Sequence, residues 1–422
     1  ALTDKALLGQ LGGYPRALGV SSFLLVGLSL LPGVPMVPFL ILAGGIGYSA
    51  FVLNRRQVVK AVEEEQLMLE NKKAAVPAEE PIAAALAIDD LRLELGYGLL
   101  SLINDKEGYR LTDQIKALRR QIASEMGFVM PSVRILDNMQ LPANNYLVRV
   151  KEVEAGAGDV RPNNLLIMDP QGQTIDLPGE ETVEPTFGLP AVWVDSGQRE
   201  EASFRGYTIV DPATVITTHL TEILKDHMPD LLSYAETQKL LDDLPSANQK
   251  LIADLIPSHI SVSGVQRILQ NLLAERVSIR DLPTILEGIS EATGYSQNIN
   301  IITEHVRARL ARQISATNMA EDGYIPLITL TPQWEQNFAN AIIGQGDDRQ
   351  LSMAPSQLQE FIARVREVFD TLASQGHNPV MLTSPAIRPY VRSIVERFRP
   401  TTVVMSQNEI HPKARLKTLA QV

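Results

Sequence analysis

A long run without charge dominates the first part of the chain. No Asp, Glu, Lys or Arg occurs from Ala17 to Asn54, a stretch of 38 residues. One helix of that length would measure about 57 Å, nearly twice the ~30 Å hydrocarbon core of a bilayer. Three prolines and a glycine in PGVPMVP (32–38) indicate a turn in its middle. The pattern therefore predicts an α-helical transmembrane hairpin within residues 1–54. A cleavable signal peptide or a hairpin buried in a globular protein fits less well.

Positive charges flank the hairpin on both sides. Arg16 precedes it, and Arg55, Arg56 and Lys60 follow it. Because Lys and Arg are enriched in cytoplasmic loops, both ends are expected on the cytoplasmic side. Residues 55–87 begin with the pattern of an exposed helix and run into a Pro-containing, low-complexity stretch, which is typical of a linker.

From Leu91 onward, patterns of period two alternate with patterns of helical period. SVRILDNM, NYLVRVKEVEAG, NNLLIMDP, AVWVD and GYTIVD predict strands, and DLRLELGYGLLSLI is strand-like over its length. One helix is predicted to end at Gly127. Another is predicted from Asp211 (N-cap) and Pro212 to about His227. The GAG of 156–158 lacks the third glycine and the following helix of a nucleotide loop, so a turn is predicted there.

Residues 232–315 have the pattern of packed helices. The apolar side chains of SGVQRILQNLLAE fall on one face, and the next helix opens with Ser278 and Asp281 in capping-box spacing. These two helices also fit a DNA-binding helix-turn-helix, but acidic residues surround the few arginines, so packing against the protein itself is favoured.

The last region, 324–422, mixes strands with helices around 355–374 and 385–398, the second starting at Ser384–Pro385. Its arginines are predicted to form a solvated face rather than a phosphate site: Arg388, Arg392, Arg397 and Arg399.

Composition narrows the function classes. With 38 basic and 49 acidic residues the net charge is −11, which argues against nucleic acid as a partner. The absence of cysteine excludes disulfides, thiolate catalysis and Cys-bound metal. None of the six histidines has metal-ligand spacing, and no hydrolase or nucleotide-binding motif occurs. The sequence therefore predicts no catalytic residue, no metal, no cofactor and no enzyme activity.

Two local features suggest contact with a partner. Phe187 lies in PTFGLP, between Pro185 and Pro190 and beside Gly188, where neither a helix nor a long strand can run. Such an aromatic is either a core plug or a side chain that a partner grips. On the 211–227 helix, Thr218 lies with other polar residues opposite the apolar face, where a solvated face is the simpler interpretation.

Six stretches carry a family resemblance: LELGYGLL, RRQIASEMGFVMPSVRILDNMQLPANNY, GLPAVWVD, GYTIVDPATVITTHLTEIL, VQRILQNLLAERVSIRDLPTILE and PVMLTSPAIRP. Through them the chain resembles the type III protein export gate family, which serves the bacterial flagellum and the injectisome. The hairpin LLPGVPMVPFLIL is similar to the last two membrane helices of that family. LELGYG together with TVEPTFGLPAVW favours the flagellar branch, with an injectisome gate as the alternative.

The resemblance implies an α+β multidomain cytoplasmic region, with mixed α/β subdomains and one helical subdomain, behind the membrane hairpin. It implies a multi-pass protein of the bacterial inner membrane whose cytoplasmic part forms a nonameric ring. The implied subdomains are 88–162 with 212–231, an inserted 163–211, a helical 232–311, and an α+β 312–422.

The resemblance also implies a binding site and partners. The family's dimple for chaperone–substrate complexes falls on Glu184, Phe187 and Thr218, with Glu184 where the family commonly has Asp. The linker contact to a neighbouring subunit falls on Glu79 and Ile82. The implied partners are flagellar export chaperone–substrate complexes, other membrane proteins of the export apparatus and the export ATPase complex. Functions from other classes are a membrane-tethered enzyme and a membrane-anchored, DNA-binding regulator.

Overall fold

The computed structural model describes residues 23–24, 26–27, 37–38, 40–48, 51–52, 88–104, 110–170, 174–344 and 349–422. They belong to two compact units, Ala1–Ala87 and Ile88–Val422. In the first unit the described residues are helical. Among all described residues, no helix combines the length and apolar character needed to span a membrane. Most of the predicted hairpin lies outside the described residues, as do Glu79 and Ile82 of the predicted linker.

The second unit is a mixed α/β domain that begins with a four-stranded sheet. Its strands, in the order β2-β1-β3-β4, are β1 (Leu91–Leu95), β2 (Arg134–Asp137), β3 (Asn145–Val150) and β4 (Val153–Asp159). β1 runs parallel to β2 and antiparallel to β3, which forms a hairpin with β4. Helix α1 (Leu111–Met126) packs on this sheet and ends at Gly127, as predicted, with a left-handed φ of 70°.

Three local predictions in this sheet are wrong. Residues 97–104 form a 3-10 turn and one helical turn rather than strand. NYLVRVKEVEAG is a hairpin rather than one strand, because Lys151 and Glu152 both take positive φ values of 48° and 67°. The GAG of 156–158 lies inside β4 instead of forming a turn.

A second sheet is inserted before the long helix. Its antiparallel strands, in the order β6-β7-β5-β8, are β5 (Asn164–Met168), β6 (Glu180–Val183), β7 (Pro190–Asp195) and β8 (Thr208–Val210). Helix α2 (Arg199–Phe204) lies before β8. Alternate side chains point to opposite faces. Leu165 and Ile167 belong to a small local core, whereas Leu166 joins the main core of the unit.

Helix α3 (Pro212–Leu231) links the two sheets. Its N-cap is Asp211, whose carboxylate accepts a hydrogen bond from the Thr214 N–H at 2.9 Å, as the sequence predicts. It continues one turn beyond the predicted end at His227, with Pro229 inside its last turn. One face of α3 is buried in the main core. This packing fixes the position of the polar side chains on the opposite face of the helix.

Six helices follow: α4 (Tyr234–Asp242), α5 (Ser246–Leu255), α6 (Val262–Ala274), α7 (Leu282–Thr293), α8 (Ile299–Arg309) and α9 (Ala311–Thr317). The predicted apolar face of α6 is confirmed, since Val265, Ile268, Leu269 and Leu272 are all fully buried. The capping-box prediction is wrong: Asp281 alone caps α7, accepting from the Thr284 N–H, while the Ser278 hydroxyl accepts from the Arg280 N–H.

The last sheet is wholly parallel. It contains β9 (Ile325–Thr329), β12 (Val380–Thr383), β13 (Val404–Ser406) and β14 (Leu416–Gln421), in the order β13-β12-β9-β14. The short strands β10 (Ile342–Ile343) and β11 (Gln350–Leu351) form a separate pair. Around the sheet lie α10 (Pro332–Ala341), α11 (Pro355–Ser374) and α12 (Arg388–Val395). Helix α12 begins at Arg388 rather than at Pro385, because the Ser384 N–H and hydroxyl both bind the Glu335 carboxylate and hold the preceding residues in a turn.

The predicted solvated arginine face is wrong for two of its four members. Arg388 is 2% exposed and Arg392 is 9% exposed, whereas Arg397 is exposed. The half-buried Arg399 pairs with Asp370 at 2.6 Å. These arginines were expected at the solvent-exposed surface because unpaired charges are rarely buried.

The buried arginines belong to an ionic core that joins the helical layer to the parallel sheet. It consists of three cations and three carboxylates: Arg307, Arg388, Arg392, Glu275, Glu304 and Glu409. Two nitrogens of Arg388 donate to Glu275 at 2.7 and 2.9 Å, and its Nε donates to Glu304 at 2.6 Å. Burial alone would raise the pKa of Glu275, but the charges of Arg307 and Arg388 lower it to about 2.

Candidate functional site

The loop between β6 and β7, residues 184–189, presents the predicted contact residues. The loop is closed at its base by two backbone hydrogen bonds. The Glu184 N–H donates to the Leu189 carbonyl at 2.8 Å, and the Gly188 N–H donates to the Glu184 carbonyl at 3.0 Å. Gly188 takes a φ of +69°, a conformation that favours glycine. The tight turn follows from these contacts and from Pro185 and Pro190 on either side of it.

Glu184 is buried, with 4% of its surface exposed. Its two carboxylate oxygens accept from the backbone N–H groups of Thr186, at 2.9 Å, and of Phe187, at 2.7 Å. These two hydrogen bonds fix both carboxylate oxygens against the loop backbone. Glu184 therefore positions the loop from within, and its side chain is not itself an exposed contact surface.

Phe187 points outward at the tip of this loop. It is 63% exposed, and Val183 and Leu189 on either side of the loop are exposed at 63% and 44%. An exposed aromatic on a hydrogen-bonded turn, with two aliphatic neighbours, forms a small apolar surface. At 63% exposure, Phe187 is not packed into the core of the described residues.

Thr218 lies on the polar face of α3, half-buried. Its neighbours on that face are satisfied. The Thr214 hydroxyl donates to Asp211, the Thr221 hydroxyl donates to the Thr217 carbonyl, and Lys225 pairs with Glu222. Within the part of the chain that the structure describes, Thr218 has no side-chain hydrogen bond. Its hydroxyl is thus available to a partner, unlike the other polar groups of this face.

Tyr146 and the half-buried His219 form a hydrogen-bonded pair between the first sheet and α3. The Tyr146 hydroxyl on β3 and the His219 Nδ1 on α3 are 2.7 Å apart, with the two rings edge to face. Two glycines of β4 make room for them. A Cβ at Gly158 would lie 2.6 Å from the Tyr146 hydroxyl, and a Cβ at Gly156 would lie 3.1 Å from the His219 ring. The glycines of GAG therefore serve packing and not phosphate binding.

The charge of Glu184 acts on both rings. Burial raises the pKa of Tyr146, and the Glu184 and Asp159 carboxylates raise it further. Burial lowers the pKa of His219, which the Glu184 charge only partly offsets. Both shifts favour the neutral forms of the two side chains, which share one hydrogen bond between the Tyr146 hydroxyl and the His219 Nδ1.

The structure thus places Glu184 and Phe187 in one loop, while Thr218 lies on α3, next in sequence to His219, whose pKa the Glu184 charge influences. Sequence reasoning missed Tyr146, His219, Gly156 and Gly158. The one signal for them was the pair of glycines in a strand, which marks a close approach of other groups. Among the described residues, no group of His, Asp and Glu side chains is arranged to hold a metal ion.

The FHIPEP family model matches residues 2–415. The flagellar biosynthesis protein FlhA of Caulobacter vibrioides is 57% identical over 422 residues, which cover 99% of this chain and 60% of that protein. The chain therefore spans about 60% of the length of that relative.

Solved structures share the fold of the second unit. The Chlamydia pneumoniae CdsV protein has a TM-score of 0.72 and 25% identity, covering 79% of this chain and 98% of that one. Nonameric EPEC SctV-C has a TM-score of 0.65 and 20% identity, covering 80% and 99%. The family match runs through nearly the whole sequence, and the mixed α/β architecture agrees with it: this chain belongs to the FHIPEP family.

Proposed function

We propose that this chain is part of the flagellar type III protein export gate and that it docks export substrates bound to their chaperones. The docking surface consists of the loop 184–189 together with Thr218 on α3. Phe187 is the anchor, Glu184 is the residue that holds the anchor in place, and Thr218 offers a hydroxyl for a hydrogen bond. The role is one of binding and transfer, without catalysis or cofactor.

The observation that supports this function best is the exposure of Phe187 on a fixed loop. Leaving a phenylalanine 63% exposed forgoes much of the ~1.5–3 kcal/mol that full burial of such a side chain provides. The loop is nevertheless held by four hydrogen bonds, two to the backbone and two to the Glu184 carboxylate. A rigid apolar anchor loses little conformational freedom when it binds, which favours affinity.

The same proposal extends to assembly and location. The 57% identical relative carries the name flagellar biosynthesis protein, and a fold neighbour was solved as a nonamer. On this basis the chain forms a nonameric ring beneath the bacterial inner membrane. There it works with other membrane proteins of the export apparatus and with the export ATPase complex. A mass measurement of the detergent-solubilised protein tests the ring, and a stable monomer contradicts it.

The substitution Phe187→Ala tests the docking function. Loss of an interface anchor costs about 2–4 kcal/mol of binding, or roughly 30- to 1,000-fold in affinity. Because Phe187 is mostly exposed, its loss should destabilise the fold by much less than the ~3–5 kcal/mol of a buried Phe→Ala change. Calorimetric titration with a chaperone–substrate complex of the flagellar export system measures the first quantity, and urea unfolding measures the second.

Phe204 supplies the matched control. It lies in α2 on the same inserted sheet and is 93% exposed. We expect Phe204→Ala to leave both affinity and stability unchanged. Equal affinity of Phe187→Ala and wild type would contradict the docking proposal. Equal losses of affinity in Phe187→Ala and Phe204→Ala would contradict it as well.

A further inference from the structure

The parallel sheet of residues 325–422 has the topology of a ligand-binding α/β sheet. From the first strand, β9, the chain moves outward to β12 and then β13, and afterwards returns to place β14 on the other side of β9. All four strands run parallel. In open sheets of this kind, a crevice forms at the carboxyl edge where the strand order reverses. Here that point lies between β9 and β14.

A cavity of about 650 Å³ occupies that edge. It is lined by the residues at which the four strands end. Thr329 ends β9 and Leu330 follows it, Thr383 ends β12 and Ser384 follows it, Gln407 follows β13, and Gln421 ends β14. Its volume falls in the ~300–1,000 Å³ range of small-molecule sites. The cavity is far in sequence from the loop 184–189, and it has no part in the docking function proposed above.

A carboxylate is fixed at the wall of this cavity. Glu335, in the first turn of α10, accepts from the Ser384 N–H at 3.0 Å and from the Ser384 hydroxyl at 2.5 Å. These contacts join the first turn of α10 to the loop after β12. They use two of the roughly four acceptor positions of a carboxylate, so Glu335 can accept further hydrogen bonds. The side chain is half-exposed.

The charge of the lining selects the ligand. Glu335 is the only ionisable residue among the described residues that line the cavity, and the others are apolar or carry hydroxyl and amide groups. A phosphate is disfavoured for two reasons. The Thr331 hydroxyl already caps the N-terminus of α10 by accepting from the Trp334 N–H, and the described residues of the wall include no cation.

We propose that this cavity binds a guanidinium or ammonium group, which forms a charge-assisted hydrogen bond with Glu335. The side-chain amide oxygens of Gln336 and Gln407 lie in the same wall and can accept its remaining N–H groups. Such a cation can be a free small molecule or the basic side chain of a polypeptide. The two sources share the chemistry of recognition.

Calorimetric titration of the full chain distinguishes these sources. The probes are agmatine, the capped peptide acetyl-Gly-Arg-Gly-amide, the same peptide with neutral citrulline in place of arginine, and AMP. We expect saturable binding of agmatine or of the arginine peptide at concentrations below about 20 mM. Binding of both indicates that the cation alone suffices, and binding of the peptide alone identifies a polypeptide ligand. Citrulline and AMP should not bind.

Two variants locate the ligand. Glu335→Gln removes the charge but keeps the size and an acceptor for Ser384, and it should weaken binding about tenfold or more. Glu360→Gln on α11, exposed and outside the cavity lining, is the control and should change nothing. If Glu335→Gln fails to fold, Gln336→Lys at the exposed rim should abolish binding by repulsion. Any one of four results overturns the proposal. The first two are equal binding of the arginine and citrulline peptides and a preference for AMP. The other two are no saturation with any probe and unchanged affinity of the folded Glu335 and Gln336 variants.

Discussion

Removal of one carboxylate from the ionic core should destabilise the second unit strongly. Glu275→Gln leaves three buried arginines opposite two carboxylates of the core, Glu304 and Glu409, with only the exposed Glu396 beside Arg392 in addition. Breaking a buried ion pair by removing one partner costs about 3–5 kcal/mol, because the remaining charge is uncompensated. The pKa gives a similar magnitude. A fall from 4.5 to about 2 in the folded state corresponds to about 3 kcal/mol at neutral pH.

Urea unfolding of the chain followed by tryptophan fluorescence measures this loss, since urea, unlike guanidinium, does not screen charges. The chain has two tryptophans. Trp334 lies on α10 beside the parallel sheet, and Trp193 on β7 of the inserted sheet reports a different region. Glu287→Gln is the control: it breaks only an exposed pair with Arg309 at 3.4 Å, so it should cost less than about 1 kcal/mol.

A double substitution separates charge balance from packing. Glu275→Met with Arg388→Met leaves two cations and two carboxylates, so it should cost clearly less than the sum of the two single changes. Additive losses, or a Glu275→Gln cost no larger than that of Glu287→Gln, would refute the reasoning.

The pH dependence of the stability of this ionic core has a definite sign. The contribution of Glu275 is complete above about pH 4.5 and is lost as the pH falls toward about 2. Burial raises the pKa of Glu304, so its contribution diminishes as the pH rises, and Glu304→Gln should cost less than Glu275→Gln.

Two further predictions concern the first sheet and the docking surface. Gly127→Ala should cost more than about 1 kcal/mol in urea unfolding, because the residue has a φ of +70° and its Cβ would lie 2.4 Å from the Arg280 Cα; an unchanged midpoint contradicts this. His219 should titrate below 6.5 by NMR, and Glu184→Gln should lower its pKa further, because the carboxylate charge that raises it is lost; a rise on this substitution would show that Glu184 does not act on His219.

The sequence predicted the elements whose signals are local. The cap of α3 at Asp211, the end of α1 at Gly127 and the apolar face of α6 all depend on residues within a few turns of each other. The hairpin turn at Lys151 and Glu152 escaped prediction because neither residue favours positive φ, and strand pairing imposes it there.

The ionic core could not be predicted for a different reason. Arg388 and Glu275 are 113 residues apart in sequence, and each alone resembles a surface charge. For the candidate site, the resemblance supplied Glu184, Phe187 and Thr218, and the structure shows that their environments differ. Phe187 and Thr218 are accessible, whereas Glu184 is buried and acts on Phe187 through the backbone.

This division of roles predicts how substitutions at Glu184 behave. Glu184→Ala leaves the N–H groups of Thr186 and Phe187 without their acceptor, and a buried unpaired N–H costs about 1–3 kcal/mol. The loop is at the surface, so it should open to water rather than unfold the sheet. Phe187 then loses its fixed position, and affinity for a chaperone–substrate complex should fall about as far as in Phe187→Ala. Glu184→Asp should lie between wild type and Ala, since a shorter carboxylate can still accept from the N–H two residues on but reaches Phe187 less well.

Amide hydrogen exchange separates this account from a direct contact by Glu184. The Phe187 amide should be protected in the wild type and exchange rapidly in Glu184→Ala. From Glu184→Asp to Glu184→Ala, the loss of amide protection should parallel the loss of affinity for the complex. If Glu184→Ala lost affinity while the Phe187 amide stayed protected, the carboxylate would contact the partner itself. Its burial at 4% exposure would then have to be relieved on binding, and the positioning role assigned to it would be wrong.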